Sequence, residues 1–556
     1  MIQTGSSKEY PGALMAQVAF WIGAIFLLLY ALGFRSLWGS EDRWAEVVRE
    51  MLLFGDFFHP QINGQPYFDK PLFTYWVIIP AAWMAGSLDE LSVRLPSALA
   101  GLVTLWATFQ LGKKILGGST GLVAASLLLA SWGFCFWSRT AAADAENMAV
   151  IVVAVLWYFS FRNRPSFGTY LGFYLICALG SHFKGLTAWA VPIVVALPDI
   201  FCSKRWKAHI SFPNAAALAV AILVYLAPFV YAGLTAKGYG ESGLVLAMRE
   251  NVLRFFNAFD HKGPVYCYLY YVPFLFLPWV FVLAGALGDR IKGFGQLDER
   301  RRWLCLAVLG IFLLFTISSS RRSYYILPIV PFLALMIADF LIHPVDPRRR
   351  DLSIKCQFIL LFIIGVFELS SPLVWPVIKA KTGFVPPHFL KVSTCLTGLV
   401  CILCMSMAWL RRFQDRPSRA IHLRMAPLLL GAFVLLSGFF CFQQNALEVY
   451  RTQKPFILKL KAMIAELPPE RIGLSKNMAG VVFYLDKPMP VADLEKKGRL
   501  TRFLKQEGEK IIIARKRDAW RILPALSSHY FYEILSAPEF RWSKRNDKGL
   551  IAWKIF

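Results

Sequence analysis

Residues 14–34 read LMAQVAFWIGAIFLLLYALGF, 21 positions without a charge. At 1.5 Å per residue such a helix is about 30 Å long, the hydrocarbon thickness of a bilayer. No small-residue cleavage site follows it, so the run reads as an anchor and not as a secretory leader. Similar runs recur at about 95–111, 121–137, 145–161, 167–182, 186–202, 215–234, 265–287, 304–317, 324–342, 358–378, 393–410 and 425–442. With the first they predict thirteen spans, and the marginal stretch 72–85 is expected to lie along the outer face. Alternate loops are basic: Lys113 and Lys114, Arg162 and Arg164, Lys204, Arg205 and Lys207, Arg290 to Arg302, Arg348 to Arg350, and Arg411 to Arg424. The positive-inside rule puts these loops in the cytoplasm. The N-terminus is then inside, and segments 35–94, 138–144, 183–185, 235–264, 318–323, 379–391 and 444–556 lie outside.

Composition agrees with this polytopic α-helical reading. Of 556 residues 57% are hydrophobic and 17% charged, where a soluble domain carries about 25% charged residues. An ordinary soluble enzyme, a disordered chain and a disulfide scaffold are excluded. A β-barrel would alternate apolar and polar residues instead. The net charge of +25 is scattered over many loops, which suits membrane lipids as partners and not nucleic acid. The cysteines lie in or beside apolar runs, so Cys401 and Cys404 read as buried thiols despite their C-x-x-C spacing. The chain divides into a transmembrane domain, 1–443, with a long first outer loop, 35–94, and a small outer α/β domain, 444–556. In the latter 471–474, 480–484 and 510–514 look like strands, and 456–466 and 494–507 look like helices. From Arg451 onward 22 Lys or Arg stand against 11 Asp or Glu, which suits anionic lipids or a phosphorylated acceptor.

Polar residues gather in the outer loops and outer span ends, where a lipid-held substrate would be met. Transport sites sit nearer the midplane. Glu368 is the exception, deep in an apolar run, as an ion site or the partner of some polar group. Within the first outer loop, residues 38–71 read WGSEDRWAEVVREMLLFGDFFHPQINGQPYFDKP. Glu41, Asp42 and Arg43 directly follow the first span, where a loop can aim a carboxylate at a headgroup. Glu46, Arg49 and Glu50 are helix-face neighbours and read as an exposed interfacial helix. Lys70 opens the next helical stretch and could meet a lipid phosphate loosely or bind a leaving phosphate.

Glu41 to Glu46, Arg49-Glu50-Met51, Gly55-Asp56, Asn63-Gly64 and Tyr67-Phe68-Asp69-Lys70-Pro71 resemble the first outer loop of the bacterial lipid A 4-amino-4-deoxy-L-arabinose transferases. These are akin to protein O-mannosyltransferases in the C-type glycosyltransferase superfamily. Arg94 to Ser97, Arg139 with Asp144, Lys184-Gly185, Glu250 to Phe255 with His261, Leu277-Pro278-Trp279 and Tyr325 to Pro328 continue the likeness.

The resemblance implies a bacterial inner-membrane, multi-pass, inverting glycosyltransferase with its active site on the periplasmic face. A sugar would pass from undecaprenyl phosphate to lipid A, lipopolysaccharide or another periplasmic acceptor. A protein or polysaccharide acceptor, or a non-catalytic lipid-linked glycan transporter, are the alternatives. A lipid phosphate leaving group needs fixed cations, and the candidates are Lys70, Arg254, Arg321 and Lys184, with Tyr325 as a hydroxyl donor. An acceptor hydroxyl needs a carboxylate, and Glu41, Asp42 and Asp144 are the candidates, Glu41 first. Arg43, Tyr67, Asp69 and His261 complete the expected site. Two positions depart from the family. Ser40 stands where relatives have an Asp, and Asn251 where they have a His. A divalent metal is a candidate cofactor, with Asp69 and His261 as its remaining ligands.

Overall fold

The computed structural model describes residues 11–67, 70–235, 249, 253–257, 262–382, 385–414, 421–448, 451–496, 498–526, 530–537 and 549–556. It is a bundle of apolar helices with a five-stranded α/β domain seated on one end. Helix starts follow the local chemistry. Asp89 and Ser92 exchange side-chain and backbone hydrogen bonds of 2.9 Å to open α5 (Glu90–Ile115), and Ser166 with Thr169 repeats this box at α9 (Phe167–Lys184). Each box satisfies N–H groups that the first helical turn leaves without partners.

Among the described residues six helices are long and apolar enough to cross a membrane. They are α5, α8 (Asp144–Phe161), α12 (Phe212–Thr235), Pro347–Leu369, His388–Leu410 and Met425–Ala446. A seventh arises if α6 (Gly118–Leu129) and α7 (Trp132–Ser138), bent by 69°, count as one. Other expected crossings are shorter, such as α10 (Thr187–Cys202), or broken, such as 265–287, split into Cys267–Leu275 and Val280–Lys292. Two breaks repair each other. The Trp279 indole donates to the Ala130 carbonyl at 2.7 Å, and the Trp132 N–H donates to the Leu277 carbonyl at 2.8 Å. Backbone freed by a break at membrane depth must find such partners inside the protein. The stretch 72–85 forms α3 (Phe73–Trp76) and α4 (Ile78–Ala85), with Trp83 and Met84 exposed.

Glu368 is met by a polar side chain. It is the penultimate residue of Pro347–Leu369, about 30 Å of helical rise from the basic end. There its carboxylate accepts from Gln443 Nε2 at 2.8 Å. Gln443 closes a π-helical turn, Gly438–Gln443, a local widening that re-aims side chains.

The C-terminal domain has strands β3 (Ile472–Leu474), β4 (Ala492–Asp493), β5 (Lys510–Arg515), β6 (Tyr532–Ser536) and β7 (Leu550–Ile555), in the order β4-β3-β5-β7-β6. β3 runs parallel to β4 and β5, and β7 runs antiparallel to β5 and β6. The run 480–484, read above as a strand, is instead the helix Ala479–Leu485. Periodicity cannot distinguish the two in so short an apolar run.

That helix packs on α2 (Glu41–Phe54), and this corrects the expectation of an exposed α2. Glu46 is fully buried, bonded by Arg49 at 2.8 Å to both carboxylate oxygens, and Arg49 also donates to the Lys487 carbonyl at 3.0 Å. Glu50 is buried too and receives the N–H groups of Asn63 and Gly64 from the turn between β1 (Gln61–Ile62) and β2 (Gln65–Pro66). Burying charge without such partners would be prohibitive. The domain is held by paired bonds. Asn63 Nδ2 donates to the Val491 carbonyl at 2.9 Å, and the Val491 N–H donates to Asn63 Oδ1 at 2.8 Å. Tyr484 Oη accepts from the Leu37 N–H and donates to Glu90, both at 2.8 Å. Lys454 closes on the same Glu90 at 2.5 Å. Asn63→Ala removes two bonds across this seam, worth about 1 kcal/mol each. Limited proteolysis of residues 486–496 should therefore speed up several-fold, with the transmembrane helices unaffected.

Candidate functional site

The site is built around a buried ion pair. Arg94, 1% exposed, meets fully buried Glu41 through two parallel bonds of 2.8 and 2.7 Å. Glu41 also receives the N–H groups of Trp38 at 3.2 Å and Ala141 at 3.0 Å. The remaining Arg94 donors reach the carbonyls of Leu32, Arg35 and Ser36 at 2.7 to 3.0 Å. Glu41 was the first candidate for the base, and this geometry argues against that role. Four donors, two of them on the Arg94 guanidinium, occupy its oxygens, so it has neither a free lone pair for a substrate nor a route to one. Its place is structural.

Asp42 is the carboxylate left available in this turn. It is half-buried and accepts the Arg43 N–H at 2.8 Å. A Cβ on Gly480 of the C-terminal domain would lie 3.0 Å from Asp42 Oδ2, so that domain forms one wall around it. Burial pushes the Asp42 carboxyl above the ordinary aspartate range, against the lowering charges of Arg43 and Arg515. A partly desolvated carboxylate of this kind is a better proton acceptor than an exposed one. Arg43 turns away and donates to Tyr67 Oη at 2.7 Å, with its guanidinium 5.9 Å from the ring centre.

The cations converge elsewhere, at the end of α9. Lys184 Nζ pairs with Asp144, the first residue of α8, which is 3% exposed. The same ammonium stands 4.9 Å from the Tyr324 ring centre and 5.4 Å from that of Tyr325. Lys70 and Arg322 act on it electrostatically. Arg322 Nη1 donates to Tyr324 Oη at 3.0 Å. Asp144 lies three residues beyond Ala141, whose N–H binds Glu41. The ion pair therefore sets the first outer loop beside the start of α8. Among the described residues Asp144 is the carboxylate that pairs with Lys184, and Lys70 and Arg322 bring further positive charge to the same place; burial, with these charges, pulls the Lys184 amine below the ordinary lysine range.

Several expected roles change. Arg321 spends its guanidinium on carbonyls, of Thr316 at 2.9 and 3.2 Å and of Gly263 at 2.8 Å. That is a cap on the helix Glu299–Ile317, and Arg322 is the residue beside Lys184. Tyr325 contributes a ring to Lys184. The backbone of Arg254–Phe256 forms a short turn whose Phe255 carbonyl accepts from the Ser319 N–H at 2.9 Å. The Arg254 side chain, Asp69 and His261 lie outside the described residues. Among the described residues no three His, Cys, Asp or Glu side chains gather as metal ligands. Reading the sequence missed Arg322 and Tyr324. The adjacent Arg-Arg and Tyr-Tyr pairs at 321–322 and 324–325 were the available signal, but they do not say which member faces the site.

The profile of the dolichyl-phosphate-mannose-protein mannosyltransferase family matches residues 69–232. An undecaprenyl phosphate-alpha-4-amino-4-deoxy-L-arabinose arabinosyl transferase of Pectobacterium atrosepticum is 31% identical, over 69% of both chains. One of that name from Edwardsiella ictaluri is 31% identical over 63% of this chain, and the match spans 64% of its own length. The crystal structure of ArnT from Cupriavidus metallidurans bound to undecaprenyl phosphate shares the fold with a TM-score of 0.74. It is 18% identical and matches over 96% of this chain and 97% of that one. An oligosaccharyltransferase from Archaeoglobus fulgidus follows at a TM-score of 0.52 and 11% identity, over 96% and 70%.

Arg94→Ala leaves Glu41 buried and unpaired, which costs about 3–5 kcal/mol. A large fall in Tm is expected. Glu41→Gln keeps several of the bonds and should fall less.

Proposed function

This chain belongs to the family of undecaprenyl phosphate-alpha-4-amino-4-deoxy-L-arabinose arabinosyl transferases, and from that premise we propose that it is an inverting membrane glycosyltransferase. Its donor is a sugar on undecaprenyl phosphate and its acceptor is lipid A at the periplasmic face of the inner membrane. The observation that carries the reading is the cation cluster at Lys184, bounded by Asp144, Tyr324, Arg322 and Lys70.

In this reading the bond between the anomeric carbon and the phosphate oxygen breaks, and charge grows on the departing lipid phosphate. Lys184, Lys70 and Arg322 stabilise that charge more in the transition state than in the ground state. Asp144 holds the Lys184 ammonium in place. The acceptor oxygen attacks from the opposite face of the sugar, which inverts the configuration. Asp42 takes the proton of the attacking hydroxyl, whether of a sugar or of a phosphate monoanion. It thus fills the gap that Ser40 leaves. That departure also keeps a second acceptor class in view, a protein or polysaccharide hydroxyl.

Purified protein with radiolabelled undecaprenyl-phosphate sugar and lipid A tests the reading, and no label on lipid A would reject this acceptor. Arg322→Ala should lower kcat about 10²-fold, the scale of one lost donor to a developing oxyanion, with Tm nearly unchanged. Arg321→Ala should instead lower Tm and spare the kcat of the folded enzyme. Asp42→Asn should cost about 10²–10⁴ in kcat and remove the acid limb of the pH profile. In the wild type that limb falls as pH drops through the raised Asp42 value. The sign for stability is opposite. A carboxyl with a raised folded pKa stabilises only while protonated, so Asp42→Asn should raise Tm at neutral pH.

A further inference from the structure

A pocket walled by aromatic side chains lies away from Lys184, where α8, α9 and α10 reach the basic loops. It is a cavity of about 180 Å³ lined mainly by Trp157, Phe161, Tyr170, Tyr174, Leu197 and Ile200. An engineered apolar cavity of about 150 Å³ already admits benzene, so this one has room for a length of hydrocarbon chain. Its walls are fixed. Trp157 Nε1 donates to the Thr169 carbonyl at 2.9 Å, Tyr170 Oη to the Ala208 carbonyl at 3.0 Å, and Tyr174 Oη to Asn214 Oδ1 at 2.9 Å. With those hydroxyls and the indole satisfied by protein, the interior offers a ligand chiefly ring faces and methyl groups.

The rim is basic. Asp199 is the only carboxylate in residues 157–214. It is taken up by Arg162 and by Tyr158 Oη at 2.7 Å. Arg164, Lys204 and Lys207 are exposed. Arg205 sits between them and bonds to Asn163 and to the Arg162 carbonyl. The adjoining segment also carries exposed Trp206, Ile210 and Phe212, at 43, 75 and 85%. Apolar side chains interleaved with cations mark the headgroup level of a leaflet. Tyr174 is ten residues from Lys184 along α9, about 15 Å of rise, so this is a different place from the proposed transfer site.

We propose that the cavity is a binding site for an anionic glycerophospholipid of the cytoplasmic leaflet. One acyl chain lies between Trp157, Tyr170 and Tyr174, and the phosphate lies on Lys204, Arg205 and Lys207. Charge complementarity selects this occupant, because a zwitterionic lipid gains nothing from a rim with one carboxylate already neutralised. The inference rests on the transmembrane orientation of the basic loops and not on the transfer chemistry.

The test uses the full-length protein in nanodiscs of phosphatidylcholine and phosphatidylglycerol. Phosphatidylglycerol carrying a photoactivatable group in its acyl chain is crosslinked and the peptides are mapped. Crosslinks should concentrate in residues 157–174 and 193–200 and be displaced by unlabelled phosphatidylglycerol but not by phosphatidylcholine. Arg205→Gln with Lys207→Gln should weaken the labelling about tenfold or more, since each cation near a headgroup is worth about 1 kcal/mol. Ala196→Phe fills the space and should abolish labelling there. If that variant fails to fold, the wild-type map and the charge variant still decide. Even labelling over all lipid-facing helices, equal competition by phosphatidylcholine, or full labelling of the charge variant would each overturn the proposal. A loss of sugar transfer alone bears only on the proposed transfer reaction.

Discussion

A carboxylate and a guanidinium withdrawn from water, Glu41 and Arg94, tie together the end of the helix bundle that carries the C-terminal domain. Such a pair is tolerable only when every remaining donor and acceptor is also satisfied. Here Glu41 takes N–H groups from both sides of the site, and Arg94 collects the three carbonyls that follow the first helix. The end of the first helix (Pro11–Leu29), the start of α2, the start of α5 and the approach to α8 are thereby fixed to one another. Residues distant in sequence, Asp42, Asp144 and Lys184, inherit their places from that junction.

The C-terminal domain completes the arrangement by burying α2. It removes Glu46, Arg49 and Glu50 from solvent and encloses Asp42 beside Gly480. The parallel strands β3, β4 and β5 end in the same direction, and Arg515 at the end of β5 acts on Asp42. Open α/β sheets commonly present their ligand-facing groups at these carboxyl ends. The basic character of the domain therefore reaches the proposed acceptor side of the reaction centre.

Much of this was legible in sequence, because it depends on local or repeating signals. Charge-free runs announced the helices, and the first outer loop carried a family likeness that the comparisons bear out. The misreadings of charged residues share one cause, which is that the partners of a buried charge are set by the folded backbone. Glu41 looked like a base because its motif aligned it with an acid. Arg94, 53 positions on, makes it an anchor. Arg321 and Arg322 are adjacent and chemically equal, and only the path of the backbone after Ile317 turns one toward carbonyls and the other toward Tyr324. Glu368 lies in an apolar run, and Gln443, 75 positions on, is the polar partner that the sequence left unnamed.

The amino-acid sequence alone determined that the chain is a polytopic helical protein with a basic α/β tail, and which family's motifs it carries. Hydrophobic length, turn residues and contiguous motifs are properties of neighbouring positions, and they survive without coordinates. Which charged side chains remain free to act was decided only by tertiary structure. A buried charge is kept or neutralised by groups that meet it in space, and no spacing rule records that meeting.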